Sequence, residues 1–279
     1  MERESNGSRF RCLVEGPDAA PCIVLSHGLA TDLSMWDDLV PLLTPTHRVL
    51  RYDSRGHGQS AATPGDYTLA QLGADVIGLL DAFGLDKVHF AGLSMGGMVG
   101  MGLGLHHPDR LHSLAVCDAR AEAPPEYRDA WGERARKVRA DGIEVMVEPS
   151  VTRWFTEAFQ HTETARMEAM RTMIRRTSVD GYAGSAAALR ALDYERHLAG
   201  LRVPTLFLVG SDDAGAPPAV MRRMHEKTPG SRFAEIAEAG HLSVVEQPQA
   251  FARALLDFLS EVEAGASAGG TPMPGASRS

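Results

Sequence analysis

The first 120 residues alternate short apolar runs with stretches of helical periodicity. The apolar runs predict strands at 10–14, 22–26, 49–52, 88–93 and 111–117. The periodic stretches predict helices at 35–43, at 69–83 and from the glycine- and methionine-rich segment after residue 93 to about residue 107. Strands that alternate with helices are typical of a mostly parallel sheet covered on both faces. We therefore expect an α/β fold.

The pattern changes between residues 121 and 198. No apolar run there predicts a strand, and long stretches rich in Ala, Arg, Met and Glu predict several helices. Acidic and basic residues nearly balance in this segment, although the whole chain carries a formal charge of −8. We therefore expect a helical cap that is inserted into an acidic α/β core and lies over a site.

The alternation resumes after residue 198. Residues 264–279 are mostly small and turn-forming, which predicts a disordered tail. The predicted domains are a core of residues 1–120 and 199–263, a cap of residues 121–198 and the tail. The later core elements are strands at 205–209 and 233–236 and helices at 217–227 and 248–262.

The net charge, the apolar runs and the cysteines of the chain indicate which classes of partner and which cellular compartment to expect. A net charge of −8 argues against nucleic acid and anionic membranes, because both select for positive surfaces. The polar N-terminus contains no apolar run that could serve as a signal peptide, and no stretch nears the roughly 18 apolar residues of a membrane span. Cys12, Cys22 and Cys117 have unrelated spacings, which favour reduced thiols in a cytoplasmic protein. No metal-ligand spacing occurs, so we expect no metal.

A candidate nucleophile lies at the end of the strand predicted at 88–93. The segment GLSMG, residues 92–96, matches G-x-S-x-G. The pattern alone is weak, but here it ends a strand and begins a helix, which is the setting of a nucleophile elbow. The alternative is an ordinary glycine-rich turn. We take Ser94 as the candidate nucleophile.

A serine hydroxyl needs a base that removes its proton, and His241 is the candidate. It follows the strand predicted at 233–236, and an acid precedes it in the chain order Ser…Asp…His. Asp213 is the preferred acid because it follows the strand at 205–209, and ligand sites of open α/β sheets lie at the carboxyl ends of strands. Asp212 and Asp118 remain alternatives.

Acyl transfer also requires donors for an oxyanion. Elbow geometry provides the backbone N–H of Met95, and the loop after the strand at 22–26 suggests the backbone N–H of Leu29. We expect His27 to act as a structural hydrogen-bonding residue. The polar segment DSRGHGQS, residues 53–60, is interpreted as a tight loop near the site, with a metal or phosphate site as the alternative.

These motifs together resemble the α/β-hydrolase family over about residues 10 to 262. The resemblance rests on SHGL, YDSRGHGQS, GLSMGG, GSDD and GHL. Within the family the chain is most similar to the 3-oxoadipate enol-lactonases, through TDLSMWD, VLRYDSRGHG, HFAGLSMGGMVG, RWFTEAF and GYAGSAAALRALDY. The resemblance supports Ser94, Asp213 and His241 as a catalytic triad, and it points to Arg153 and Trp154 as substrate-binding residues of the cap.

The resemblance implies a serine hydrolase that cleaves a small lactone or ester through an acyl-enzyme and needs no cofactor. The implied substrate is 3-oxoadipate enol-lactone, in the β-ketoadipate pathway of aromatic-compound catabolism. The alternatives are a general carboxylesterase, another α/β-hydrolase such as a C–C hydrolase or a perhydrolase, and a ligand receptor without turnover. The expected partner is a small molecule.

Overall fold

One sheet forms the centre of the computed structural model, which describes residues 1–268. Its order is β1-β2-β4-β3-β5-β6-β7-β8; the β1–β2 and β2–β4 pairs are antiparallel and the remaining pairs are parallel. The mostly parallel α/β sheet predicted from the sequence is therefore confirmed. The strands are β1 (Glu2–Ser5), β2 (Ser8–Glu15), β3 (Cys22–Ser26), β4 (Arg48–Tyr52), β5 (Val88–Leu93), β6 (Leu111–Cys117), β7 (Thr205–Gly210) and β8 (Arg232–Ile236).

Helices cover both faces of this sheet, and the chain forms five more helices between β6 and β7. The core helices are α1 (Val40–Leu43), α2 (Leu69–Ala82), α3 (Met95–His106), α9 (Pro218–Glu226), α10 (Ser243–Glu246) and α11 (Pro248–Ala268). The segment 121–198 contains α4 (Pro125–Asp141), α5 (Val147–Trp154), α6 (Glu157–Thr162), α7 (Thr164–Arg175) and α8 (Val179–Arg190). Within residues 1–268, no helix combines the length and apolar character that a bilayer span requires.

The central strands bring the chemistry-bearing loops together. Every residue of β3 and β5 is buried, as expected for parallel strands covered on both faces. Gly92 of β5 lies opposite Ser26 of β3 on one side and Val116 of β6 on the other. The loops that follow these three strands therefore begin at one edge of the sheet, where ligands of open α/β sheets bind.

Three predictions about the elements differ from the structure. The helix predicted at 35–43 is a 3-10 turn, Leu33–Trp36, followed by the short α1, since Pro41 has no N–H for a continuous helix. Strand β1 was not predicted, because its residues are mostly polar. Helix α11 continues to Ala268, past the predicted start of the tail at 264, and residues 269–279 lie outside the described residues.

A buried ion pair fixes the loop 53–60 to α2. Arg55 donates from Nε to Oδ2 of Asp75 at 2.9 Å, and both side chains are 2% exposed. We expect Asp75→Ala to lower the free energy of unfolding by about 3–5 kcal/mol, because the charge of Arg55 would stay buried without its anionic partner. Urea unfolding measures the loss. Asp81→Ala, which removes an exposed ion pair with Arg110, should cost less than about 1 kcal/mol. Equal losses in the two variants would contradict this account.

Candidate active site

Ser94 occupies a strained turn between β5 and α3. Its backbone has φ 55° and ψ −113°, a conformation that side chains rarely adopt. Two glycines permit the turn: a Cβ on Gly92 would lie 2.1 Å from the carbonyl oxygen of Gly96, and one on Gly96 would lie 2.1 Å from that of Ser26. The G-x-S-x-G spacing thus reflects close backbone approaches, and it presents the Ser94 side chain at the end of the strand.

Ser94, His241 and Asp213 form a chain of hydrogen bonds. The Oγ of Ser94 lies 3.0 Å from Nε2 of His241. The Nδ1 of His241 lies 2.9 Å and 3.0 Å from the two carboxylate oxygens of Asp213. These distances lie within the range expected for a nucleophile, its base and the group that orients the base. The three residues come from separate loops, so their meeting depends on the sheet.

The carboxylate of Asp213 is held in place by its own loop. Its Oδ1 accepts hydrogen bonds from the backbone N–H of Gly215 at 2.6 Å and of Ala216 at 2.9 Å. Asp213 is 2% exposed, and both of its carboxylate oxygens also lie within hydrogen-bond distance of Nδ1 of His241. The loop after β7 therefore fixes a buried carboxylate against the imidazole.

The two alternative acids do not contact His241. Asp212 is exposed and accepts a hydrogen bond from the hydroxyl of Ser211 at 2.6 Å. Asp118 is fully buried, and it accepts from the backbone N–H of Gly210 at 2.8 Å and from the hydroxyl of Ser243 at 2.5 Å. Burial and the neighbouring Asp213 hold the pKa of Asp118 well above its usual range. Asp118 thus connects the loops of the acid and the histidine without touching the imidazole.

The predicted oxyanion donors lie beside Ser94. A Cβ on Gly28 would lie 3.4 Å from the Cβ of Ser94, so the loop after β3 packs against the nucleophile. Within the described part of the chain, the backbone N–H groups of Leu29 and Met95 donate to no protein acceptor. Both N–H groups thus remain available to an oxygen of a bound molecule.

His27 connects this loop to the segment 53–60. Its Nδ1 lies 2.7 Å from the carbonyl oxygen of Gly28, and its Nε2 accepts from the backbone N–H of Ser54 at 2.8 Å. Burial lowers the pKa of His27, which favours the neutral ring that this pattern requires. The arrangement matches the structural role expected for His27. Asp53 further fixes the loop by accepting from the backbone N–H of Leu33 and of Gln59, each at 2.8 Å.

A cavity of about 150 Å³ opens at Ser94 and His241. Arg153 and Trp154 of α5, the two cap residues predicted from the sequence, both line it. Burial and the nearby Arg134 lower the pKa of Arg153 to about 10. Three aromatic side chains of the cap complete the wall, namely Tyr127, Trp131 and Tyr182.

Three further residues shape this site, and no motif in the sequence marks them. Arg120, after β6, and Arg134, on α4, line the same cavity. Glu246 joins the cap to the histidine loop, because its carboxylate accepts from the backbone N–H of Gly240 at 2.9 Å and from the hydroxyl of Thr156 at 2.6 Å. The sequence offered only weak signals for them: Arg120 is a cation just after a strand, Arg134 is a cation on an amphipathic helix, and Glu246 is an acid five residues after His241.

Comparison with known proteins gives a consistent result. The family model described as the alpha/beta hydrolase fold matches residues 21–248. The 3-oxoadipate enol-lactonase 1 of Acinetobacter baylyi is 35% identical over 94% of this chain and 97% of its own length. The crystal structure of the enol-lactonase from Burkholderia xenovorans LB400 superposes with a TM-score of 0.90 at 37% identity, covering 93% of this chain and all of that one.

Other similar proteins differ in the activity that their names state. A thermophilic esterase from Thermogutta terrifontis, solved with malate bound, is 32% identical and has a TM-score of 0.87, covering 91% of this chain and 94% of its own. Several further relatives, 29% to 32% identical, are named after carbamate hydrolysis. The names agree on hydrolysis and disagree on the bond that is cleaved.

Proposed function

The chain belongs to the α/β-hydrolase family and is an ester or lactone hydrolase, and we propose that its substrate is a small carboxylated enol-lactone, 3-oxoadipate enol-lactone. The observation that carries this proposal is the chain of hydrogen bonds from Asp213 through His241 to Ser94, which ends at the cavity lined by Arg153. A cavity of 150 Å³ can hold a molecule of about the size of benzene. A five-membered lactone ring is no larger than benzene and therefore fits this cavity.

Ring opening begins at Ser94. Its Oγ bonds to the lactone carbonyl carbon while Nε2 of His241 takes the hydroxyl proton. The carbonyl oxygen becomes an oxyanion, and the backbone N–H groups of Leu29 and Met95 stabilise it. The carbonyl then re-forms as the ring C–O bond breaks, and His241 gives its proton to the departing enolate oxygen. Asp213 keeps the proton of the neutral ring on Nδ1 and stabilises the imidazolium that forms in between.

Water completes the cycle. It bonds to the acyl carbon as His241 takes one of its protons, and the bond from that carbon to Oγ of Ser94 then breaks as the serine regains a proton. The released molecule has a new carboxyl group, which ionises at neutral pH, and an enol that becomes the ketone. Water supplies every atom that is gained, so the hydrolysis balances without a redox partner.

Comparison of substrates tests the proposed function. Initial rates on the enol-lactone and on p-nitrophenyl acetate should give a higher kcat/KM for the enol-lactone, because only that substrate carries a carboxylate for the cap. The second candidate function is a general carboxylesterase, which the similarity to the Thermogutta esterase favours. A higher kcat/KM for the neutral ester would support that second function and contradict the first.

Arg153 is the side chain of the cap that we expect to bind the substrate carboxylate. Arginine grips a carboxylate through two parallel hydrogen bonds, and the only protein acceptor of Arg153 in residues 1–268 is the carbonyl oxygen of Pro149, at 3.5 Å. Arg153→Ala should raise KM for the enol-lactone by about 10- to 150-fold, corresponding to roughly 1.5–3 kcal/mol of lost charge-assisted hydrogen bonding.

Two controls make the Arg153 prediction specific. Hydrolysis of p-nitrophenyl acetate by Arg153→Ala should barely change, because that ester has no carboxylate. Arg153→Lys should recover only part of the loss, because the planar fork is missing. Parallel losses on the charged and the neutral substrate would mean that Arg153 supports the structure of the cap and binds no carboxylate.

A further inference from the structure

Three arginines line the cavity without an acidic partner. Arg120, Arg134 and Arg153 form no ion pair with any carboxylate in residues 1–268. Elsewhere on the cap, by contrast, arginines that are paired include Arg139 with Asp66. Cations that are partly removed from water and left without an anion are costly, so a bound anion would offset that cost.

The three guanidinium groups are positioned by contacts that leave most of their donors free. Arg120 donates from Nε to the carbonyl oxygen of Gly215 at 2.6 Å, and its guanidinium lies 5.4 Å from the ring centre of Tyr127. Arg134 lies 4.6 Å from the ring centre of Trp131. Aromatic faces hold a guanidinium without using its N–H groups. Each guanidinium group therefore retains N–H donors from which a carboxylate can accept hydrogen bonds.

Arg120 lies in the part of the cavity wall that the α/β core provides, just after β6. Its partner Gly215 donates to Oδ1 of Asp213, and a Cβ on Gly215 would lie 3.0 Å from Nδ1 of His241. Arg120 is therefore attached to the loop that carries the acid. The same loop positions His241, whose Nε2 faces Ser94, where hydrolysis creates a carboxyl group.

Arg134 and Arg153 line the cavity from the cap, on α4 and α5. Both line a second recess on the outer surface between α4 and α5, in addition to the inner cavity. They therefore form part of the wall that separates the cavity from the outside. Burial, and after it the charge of Arg134, lower the pKa of Arg153.

The cations of the wall outnumber the carboxyl groups beside it. Three arginines face Asp118, which lines the cavity, and Asp213, which holds His241. Burial and the neighbouring Asp213 also raise the pKa of Asp118, which weakens its negative charge. Positive charge therefore remains for the carboxylates of a bound molecule; the proposed substrate brings one of them, and its hydrolysis product brings two.

We propose that the cavity is a two-carboxylate site, in which Arg120 binds the carboxylate that forms at Ser94 and Arg134 with Arg153 binds the one at the cap. This inference rests on the proposed function, since it assigns both ends of the hydrolysed molecule. It implies that linear dicarboxylates of similar length bind competitively and that the enzyme is inhibited by its own class of product.

Isothermal titration calorimetry of the full chain with adipate and with hexanoate tests this site. The two probes have the same number of carbon atoms and differ in the second carboxylate. We expect the Kd of adipate to be at least about tenfold lower than that of hexanoate, since a charge-assisted hydrogen bond corresponds to about that factor or more. Equal Kd values for the two probes would overturn the proposal.

Arginine variants test which residue binds each of the two carboxylates of adipate. Arg120→Ala and Arg153→Ala should each raise the Kd of adipate about tenfold or more and bring it towards that of hexanoate. The matched control Arg139→Ala, which removes an exposed cap arginine, should leave both Kd values unchanged. An unchanged ratio of the two Kd values in Arg120→Ala would also overturn the proposal.

Two features keep this test decisive. If Arg120→Ala does not fold, Arg120→Lys replaces it; a partial loss of adipate affinity is expected, and no loss would contradict the role of Arg120. Calorimetry needs no turnover, so it separates the two claims. A protein that binds adipate tightly but does not open the enol-lactone would retain the two-carboxylate site and lose the proposed function.

Discussion

Ser94→Ala should lower kcat by about five to six orders of magnitude, the scale on which loss of a triad nucleophile acts. The hydroxyl is the group that forms the acyl-enzyme, and water at the same place has no base-activated equivalent. The fold should remain intact, because alanine removes one oxygen and accepts the same backbone strain that the serine already carries. Steady-state rates on the enol-lactone and on p-nitrophenyl acetate measure the loss.

Ser211→Ala is the matched control for this variant. It removes a hydroxyl from the loop after β7, where the Ser211 side chain contacts Asp212 and the backbone N–H of Glu238 and not the imidazole. Its kcat should stay near that of the wild type, and thermal unfolding should show that both variants fold. If Ser94→Ala retains more than about a tenth of the wild-type activity, Ser94 is not the nucleophile.

Asp213→Asn should lower kcat by about four orders of magnitude. The amide would present an N–H to Nδ1 of His241, which forces the proton of the ring onto Nε2. The nitrogen that faces Ser94 at 3.0 Å could then no longer accept the hydroxyl proton. The variant therefore keeps the shape of the site and loses the base.

The two neighbouring acids provide controls for Asp213. Asp212→Asn should have almost no effect, because that side chain is exposed and turned to Ser211. Asp118→Asn should have a much smaller effect on kcat than Asp213→Asn, because Asp118 contacts Gly210 and Ser243 and not the imidazole. Measurement of kcat on all three variants decides the assignment. Equal losses at the three positions would leave Asp213 without a special role.

The strands of the core could be predicted well because local signals agree there. The boundaries of β3, β5 and β6 match the predicted 22–26, 88–93 and 111–117, since each strand is a short apolar run with turn residues or a helix on either side. Burial on both faces makes such runs almost entirely apolar, and this is visible in the sequence alone. The same strands carry the loops on which the candidate residues lie.

The hairpin at the N-terminus shows what a hydrophobic pattern misses. Strand β1 lies at the edge of the sheet and carries charged residues, so it has no apolar run. The signal was in the turn: Asn6 and Gly7 both have positive φ, as the two central residues of a tight hairpin turn do. An Asn-Gly pair between two short polar segments was the feature that could have identified it.

Arg120 and Arg134 could not be predicted from the sequence, for a different reason, whereas the family resemblance pointed to Arg153. Arg120 follows β6, Arg134 lies on α4 and Arg153 on α5, and only tertiary packing brings them around one cavity. Their sequence neighbourhoods resemble those of other cap arginines, such as Arg139, that pair with acids. The triad could be predicted because its motifs have fixed positions relative to strands, whereas the substrate-binding wall follows no local motif.

The value of kcat/KM for 3-oxoadipate enol-lactone tests the central claim most directly. We predict a value of at least about 10⁴ M⁻¹s⁻¹, within the usual range of enzymes acting on their own substrates, and higher than the value for p-nitrophenyl acetate. The same preparation of Ser94→Ala provides the background rate. A rate on the enol-lactone that does not exceed this background would contradict the account.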